Sequence, residues 1–343
     1  MWNKYVCVVF AVLMLSEPLV FNAAAIWPFT KQHGTKVAVV VEPKEVAPVV
    51  QQTTVVMEAG TESPDLPNEI VFCGKKIDLR RYDMRERYDK ELLSMLFTHS
   101  STLLLIKRAN RYFPIIEPIL KKYGVPDDIK YLACIESHLD AKATSSAGAV
   151  GMWQFMPETG RQYGLQIDGD VDERYNVEKS TEAACKYLNY AYSLYGDWAT
   201  AAASYNTGYA RVTKELARQR VNNGLDLWLV DETMRYVFRI LTCKDFMEDP
   251  QKYHFYLKRE HLYPPMVTKD TLISGRVDNW VDVADSLHIM YYDLKAFNTW
   301  IRNDSLPNKE GKTYKITYPD PSKKQYDPSN TPVHQKNWVI KEK

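Results

Sequence analysis

The sequence predicts a mainly α protein with a small α+β module near its C-terminal end. Three observations predict this fold class. Most segments between residues 80 and 247 carry apolar residues at the three- and four-residue spacing of amphipathic helices. Gly and Pro lie at the ends of such segments, as Gly124 and Pro126 do. After residue 265 the pattern changes, and residues 277–318 are predicted to form a strand, two helices and a second strand.

The composition is that of a folded protein with balanced charge. The 343 residues, 45% of them hydrophobic, are enough for one or two domains with a sizeable core. There are 44 basic and 43 acidic side chains, so a nucleic-acid partner is not expected, because such proteins usually carry a basic excess. The 23 tyrosines and 8 tryptophans suit stacking on sugar rings, although a core position explains any single one more simply.

The N-terminus has the pattern of a secretory signal peptide. Lys4 precedes an apolar run over residues 5–15 that is too short to cross a bilayer, and Ala25 ends a cleavage site, so we place the signal peptide at residues 1–25. Cys7 lies inside the apolar run, which does not fit a lipid acceptor. The chain is therefore expected in the periplasm or cell envelope, with membrane association through an uncleaved N-terminus as the alternative. Residues 26–70 are predicted to be a disordered linker.

The helical region is predicted to begin after a short extended piece at residues 72–79. Helices follow at 80–98 and 101–113, and Pro114 is predicted to separate the second from a short helix that ends at Gly124. Ser180 is predicted to N-cap a later helix that runs to residue 195. The remaining predicted helices cover residues 126–139, 159–163, 199–205, 211–219 and 231–247.

Glu136 is the candidate for acid catalysis. It lies near the end of an apolar helix, and a run of small residues follows at 143–149. Residues 151–157 then place large apolar side chains around the single amide of Gln154. Partial burial in such surroundings would raise the pKa of a carboxyl group and keep it protonated near neutral pH. A lone Glu on a helix is more often a solvated surface charge, so its neighbours must decide between the two interpretations.

Four short motifs supply those neighbours. They are Glu136-Ser137 with Ser145 nine residues after the acid, Gly151-Met152-Trp153-Gln154-Phe155-Met156-Pro157, Ser204-Tyr205-Asn206, and Glu232-Thr233-Met234-Arg235-Tyr236-Val237. In this order, over about 100 residues, they resemble the lytic transglycosylases of the soluble-transglycosylase family, whose fold is related to goose-type lysozyme. The resemblance covers residues 103–249 and is strongest to the membrane-bound type D subgroup. Two residues depart from the family pattern: Trp153, which could stack on a sugar ring, and Ser204.

The resemblance implies a reaction and a set of site residues. The counterpart of Glu136 protonates the glycosidic oxygen between MurNAc and GlcNAc in peptidoglycan, and then takes the proton of the C6 hydroxyl that attacks C1, which leaves a 1,6-anhydro end. No cofactor and no metal are required. Substrate positioning is expected of the remaining polar residues of the motifs, namely Ser145, Gln154, Tyr205, Asn206 and Tyr236.

Two other functions remain open at this stage. A lysozyme-type hydrolase would need a second carboxylate to activate water or bind the sugar, and Asp140 and Asp172 are the candidates. A non-catalytic peptidoglycan-binding protein would not need an acid at position 136. The acidic turn at residues 168–174 lacks the glycine and terminal glutamate of a calcium loop, and fits a loop of the family through Asp172, Arg174 and Asn176.

Four cysteines remain beyond the signal peptide, and three pairings are possible. None has the partner or spacing of a nucleophile or zinc ligand, so we interpret them as structural. They are Cys73, Cys134, Cys185 and Cys243.

The C-terminal module resembles a LysM domain, which binds GlcNAc-containing glycans. The resemblance rests on Asp285-Ser286-Leu287, on Asp293-Leu294 with Asn298 four residues later, and on a final strand at residues 314–319. A degenerate module that only packs on the catalytic domain is the alternative. The predicted organisation is a signal peptide (1–25), a linker (26–70), a lysozyme-like catalytic domain (71–265), a LysM-like module (274–319) and a disordered tail (320–343).

Overall fold

A computed structural model describes residues 63–325 and 327–341 of the chain. The predicted signal peptide and most of the predicted linker lie outside these residues. Within them the architecture is helical with two small antiparallel sheets, which confirms the predicted mainly α fold with a small α+β module. None of the helices in the described ranges has both the length and the hydropathy that a bilayer span requires.

The described chain opens with a β-hairpin. Strand β1 (Glu69–Phe72) pairs with β2 (Lys75–Asp78), so the predicted extended piece is the second half of a hairpin. Cys73 and Gly74 form its two-residue turn with φ values of 50° and 79°, which suits the right-handed twist of paired strands.

Helix α1 (Tyr82–Leu96) confirms the first predicted helix, whereas the second prediction is wrong at Pro114. Helix α2 (His99–Lys122) continues through Pro114 and Pro118. Proline removes one main-chain donor but leaves the helix able to continue where packing holds it. Phe113, Ile116 and Leu120 on either side of these prolines are buried, so tertiary packing outweighs the local helix-breaking tendency.

Six α-helices follow α2 before the C-terminal module. Helix α3 (Lys130–Ser137) follows a 3₁₀ turn, and α4 (Pro157–Gln162) comes after the loop that carries the second motif. Asn176, not Ser180, N-caps α5 (Val177–Tyr195), because the Asn176 side chain accepts from the Lys179 amide, while the Ser180 hydroxyl donates back to the Asn176 carbonyl. The helices that follow are α6 (Trp198–Thr207), α7 (Tyr209–Gln219) and α8 (Asp231–Glu248).

The C-terminal module is a two-stranded sheet with two short helices. Strand β3 (Thr268–Ile273) pairs antiparallel with β4 (Tyr314–Pro319), and α9 (Trp280–Ser286) and α10 (Tyr291–Phe297) lie between them in sequence. The first strand was predicted to begin at residue 277, but β3 ends before that residue. Val277 instead forms a single bridge with Leu306, because its buried side chain belongs to the module core.

The prediction of a disordered tail is wrong for the described part of residues 320–341. Trp338 is fully buried against Phe113, and its indole N–H donates to the Met247 carbonyl over 2.7 Å. The amide of Asn110 donates to the Pro332 carbonyl over 2.9 Å. A polar segment can order around one large aromatic side chain, since a tryptophan buries on the order of 200 Å².

Candidate active site

Glu136 lies in the last turn of α3. The helix ends at Ser137, and the next two residues, His138 and Leu139, have φ values of 51° and 56° that turn the chain away from the helix axis. Ser137 ties this end to the next segment, because its buried hydroxyl donates to the Met152 carbonyl over 2.8 Å. The carboxyl group of Glu136 is therefore held at a helix terminus that is anchored to the second motif.

Tyr236 is the direct partner of Glu136. From α8, one hundred residues later in the chain, its buried hydroxyl donates to Oε1 of Glu136 over 2.5 Å. Burial raises the pKa of Glu136 to about 7, against the opposing effects of this hydrogen bond and of the charge of Arg239. Burial and the neighbouring carboxyl group raise the pKa of Tyr236. A carboxyl group with a pKa near 7 can hold a proton and release it close to neutral pH, as a general acid requires.

Two charged residues of α8 act on Glu136 that the sequence analysis did not assign. The guanidinium of Arg239 donates to the Ile135 carbonyl over 2.9 Å and lowers the pKa of Glu136, while the charge of Glu232 raises it. Arg239 stands three residues after Tyr236, so one helical turn separates two groups that reach the same helix end. The three-residue spacing between Tyr236 and Arg239 is the sequence feature from which Arg239 could have been predicted as a site residue.

Tyr205 and Asn206 reach the site from the end of α6. The Tyr205 hydroxyl donates to the Trp153 carbonyl over 2.8 Å, and the charge of Glu136 contributes to the raised pKa of Tyr205. Oδ1 of Asn206 accepts from the Thr233 hydroxyl over 2.8 Å. The hydrogen bond from Thr233 orients the Asn206 side-chain amide so that its N–H₂ group faces away from Thr233. The third and fourth motifs therefore meet in space, and Thr233 is a further site residue that the sequence analysis left unassigned.

Ser145 and Gln154 lie on a loop that we call the wall loop, residues 143–157. Gln154 has φ 49°, and its amide donates to the Gly151 carbonyl over 2.8 Å. The Ser145 hydroxyl accepts from the Ala149 amide over 3.0 Å. Neither side chain is hydrogen-bonded to Glu136 within the described structure, so both brace the wall loop as it stands.

Trp153 does not face the site. It is fully buried, and its indole N–H donates to the Thr181 hydroxyl on α5 over 2.8 Å. The expectation that it could stack on a sugar ring is therefore wrong. The indole N–H is satisfied by Thr181, and the indole ring packs in the helical core.

Both carboxylates proposed as second acids are already paired. Asp172 forms a buried ion pair with Arg174 at 2.7 Å, and Asp140 pairs with Arg108 at 3.0 Å. In the acidic turn, the Asp168 carboxylate accepts from the amides of Asp170 and Val171. Across the described residues, His, Cys, Asp and Glu side chains form no cluster of three or more that could hold a metal ion.

The four described cysteines are free thiols. Cys134, Cys185 and Cys243 are buried, and burial raises the pKa of Cys185 to about 12. A thiol that stays protonated at neutral pH is a poor nucleophile. The three buried cysteines are therefore best described as core residues.

A cavity of about 280 Å³ lies beside the end of α3. Helix α8 and the corner between α1 and α2 form its other walls. Its polar lining includes Ser94, Thr98, His138, Arg235 and Arg239. The cavity borders the helix end that carries Glu136, and its lining holds the ion pair of Arg235 with Glu91 as well as Arg239.

Two protein-family models match parts of this chain. The family model described as "Transglycosylase SLT domain" matches residues 113–225, and that of the "Soluble lytic transglycosylase C-terminal LysM-like domain" matches residues 269–322. Residues 113–225 and 269–322 thus match these two domain models in the order that the motifs indicated.

The relatives that match this chain include two membrane-bound lytic murein transglycosylases. The chain is homologous to the membrane-bound lytic murein transglycosylase D of Escherichia coli K12, with 31% identity over 237 residues, covering 65% of this chain and 49% of the relative. It spans about half the length of that relative. Membrane-bound lytic murein transglycosylase F of Klebsiella pneumoniae is 28% identical over 139 residues, covering 37% and 26% of the two chains. The crystal structure of the 70 kDa soluble lytic transglycosylase of Escherichia coli is 23% identical, with a TM-score of 0.36 over 40% of this chain and 24% of that one.

Proposed function

We propose that this chain is a peptidoglycan lytic transglycosylase, a lyase that cleaves the MurNAc-β-1,4-GlcNAc bond without water. The SLT domain and the homology to a lytic murein transglycosylase support the substrate class. The observation that carries the chemistry is the carboxyl group of Glu136, whose pKa burial raises to about 7, while the candidate second carboxylates Asp140 and Asp172 are held in ion pairs.

The reaction balances with one carboxyl group. Protonated Glu136 gives its proton to the glycosidic oxygen as the bond from C1 breaks, so the leaving GlcNAc gains a free O4 hydroxyl. The acetamido oxygen of MurNAc stabilises the positive charge at C1. The carboxylate of Glu136 then takes the proton from the C6 hydroxyl as that oxygen bonds to C1. The product is a 1,6-anhydro ring, and Glu136 ends protonated.

The polar residues around Glu136 are assigned to orientation. Tyr236 holds the carboxyl group through its hydrogen bond, and Asn206 is held by Thr233 with its N–H₂ group free to donate to the acetamido carbonyl. Tyr205 fixes the wall loop through the Trp153 carbonyl. Ser145 and Gln154 are assigned to contact with the glycan through the groups that their present hydrogen bonds leave available, the Ser145 hydroxyl as donor and the Gln154 carbonyl oxygen as acceptor.

A lysozyme-type hydrolase is the less favoured function. Asp140 and Asp172 would have to leave ion pairs to act, and freeing the buried Asp172 would leave Arg174 uncompensated. Glu232 is the remaining carboxylate whose charge acts on Glu136. The variant Glu232→Gln tests that role directly, because a hydrolase that depended on it would lose turnover.

Domain boundaries and location form part of the same proposal. We infer an exported protein that acts on glycan strands in the cell envelope, with a signal peptide at residues 1–25 and a linker up to the hairpin. The relatives described as membrane-bound support an envelope location. Association of the N-terminus with the membrane can be tested by fractionating cells that express the full chain or a form starting at residue 26.

Mass spectrometry of the soluble products tests the reaction. Residues 26–343 are incubated with purified peptidoglycan, with Glu136→Gln as the matched inactive control. Anhydro-muropeptides, lighter by one water than hydrolysed products, are expected from the unmodified chain and not from the variant. Reducing muropeptides would establish a hydrolase instead. Pelleting on the wall with no release would indicate a binding protein.

A further inference from the structure

The LysM-like module completes its core with a residue of the catalytic domain. Val171, from the acidic turn, is fully buried, and it clusters with buried residues of the module, among them Trp280, Trp300 and Ile301. Independent domains close their own cores and meet through more polar surfaces. The buried position of Val171 shows that the two parts are built as one unit at this point.

Main-chain hydrogen bonds join the same two segments. Val171 and Ile301 form an antiparallel bridge. The amide of Asp172 donates to the Trp300 carbonyl over 2.9 Å, and the amide of Arg302 donates to the Asp170 carbonyl over 2.9 Å. This pairing sets both the distance and the register of residues 170–172 against residues 300–302.

Side chains extend the contact to Tyr175. The Thr299 hydroxyl donates to the Tyr175 carbonyl over 3.0 Å, and the guanidinium of Arg302 lies 4.3 Å from the centre of the Tyr175 ring. Lys315 pairs with Glu178 at 2.6 Å, at the start of α5. The module therefore holds the whole segment 170–175, which we call the bracing loop.

The bracing loop in turn holds the wall loop. Arg174, fixed by Asp172, donates to the carbonyls of Gly148 and Phe155 over 3.0 Å each. The hydroxyls of Tyr175 and Thr144 lie 3.0 Å apart. A continuous set of contacts thus runs from the module to the loop that carries Ser145 and Gln154.

We propose that the LysM-like module positions the candidate active site. Residues 299–302 hold the bracing loop, which holds the wall loop, and the wall loop is joined to the end of α3 by the hydrogen bond from Ser137 to Met152. Val171, Ile301 and the main chain of Arg302 are positioning residues and do not touch substrate. The catalytic consequence rests on the proposed function, whereas the coupling between the loops can be measured without any activity.

Two variants weaken the contact, and two serve as controls. Arg302→Pro removes the N–H that donates to the Asp170 carbonyl, while Arg302→Ala keeps that N–H and loses only the side chain. Val171→Ala opens the shared core without removing main-chain bonds. Tyr292→Ala removes an exposed aromatic side chain of α10, 71% accessible, which a glycan-binding tether would use.

The variants are compared by kinetics on soluble, uncrosslinked glycan strands and by hydrogen exchange with mass spectrometry. Arg302→Pro and Val171→Ala are expected to lower kcat/KM about 10-fold or more, because small displacements of a site are costly. Exchange in residues 143–157 is expected to become faster while residues 231–248 of α8 stay protected. Arg302→Ala should have a smaller effect, and Tyr292→Ala should leave both measurements unchanged.

Three results would overturn the proposal. The first is unchanged exchange of the wall loop in both weakening variants. The second is exchange that becomes faster in α8 to the same extent, which would show a general loss of stability. The third is a loss of activity on insoluble walls but not on soluble strands, if Tyr292→Ala shows the same loss. If the unmodified chain cleaves no substrate, the proposed function has failed, and the exchange of residues 143–157 alone decides whether the module positions the wall loop.

Discussion

Replacing Glu136 by Gln should stabilise the fold above neutral pH while it abolishes cleavage. Burial raises the pKa of this carboxyl group from an ordinary 4.5 to about 7. Between these values the folded chain holds a proton that the unfolded chain has released, so the free energy of unfolding falls as pH rises. Gln cannot ionise and can still accept the hydrogen bond of Tyr236, so the variant lacks this fall.

The size of the effect follows from the raised pKa. At about 1.4 kcal/mol for each pH unit between 4.5 and 7, the full loss of stability is about 3 kcal/mol. Glu136 keeps partial contact with solvent, which reduces the cost of its charge. We therefore expect the advantage of Glu136→Gln over the unmodified chain to grow by about 1–2 kcal/mol between pH 5 and pH 8.

Urea unfolding at the two pH values measures this difference. The matched control is Glu86→Gln, which replaces an exposed carboxyl group on α1 and leaves Glu136 and the charges that act on it in place. An advantage of Glu136→Gln that is equal at pH 5 and pH 8 would refute the raised pKa. Cleavage by the variant at more than a small fraction of the normal rate would refute the role of Glu136 as the acid.

Three further predictions test the site and the tail. Tyr236→Phe removes the hydrogen bond that lowers the pKa of the acid, so the alkaline limb of kcat/KM should move to higher pH while kcat falls about 10- to 100-fold, as a pH–rate profile would show. Gly151→Ala should cost about 3 kcal/mol in thermal unfolding, because its Cβ would lie 2.0 Å from a carbonyl oxygen of the bracing loop; Gly148→Ala, with open space around it, should cost about 1 kcal/mol. Trp338→Ala should destabilise the chain by about 3–5 kcal/mol, whereas Trp228→Ala, 76% exposed, should change stability by about 0.5 kcal/mol or less, and equal effects would contradict the burial of the tail.

Local sequence patterns predicted much of the helical architecture. Apolar spacing predicted the helix that ends beside Glu136, and the same reasoning located α1, α6 and α8 to within a few residues. The rule that proline ends helices failed at Pro114, since it considers the backbone alone and not the buried residues around it. The N-cap at Asn176 was missed because Ser180, four residues later, is an equally suitable residue type.

The sequence by itself determined the helical class, the two modules and the set of polar residues from which a site could be built. These depend on periodicity and on short motifs, which act over a few residues. Tertiary structure alone decided that Tyr236 meets Glu136, that Trp153 is buried, and that Arg174 donates to the carbonyls of Gly148 and Phe155. It also placed Val171 in the core of the module and Trp338 in the core of the catalytic region. Each of these depends on contacts between distant segments, and their energies come from burial and pairing that no local pattern records.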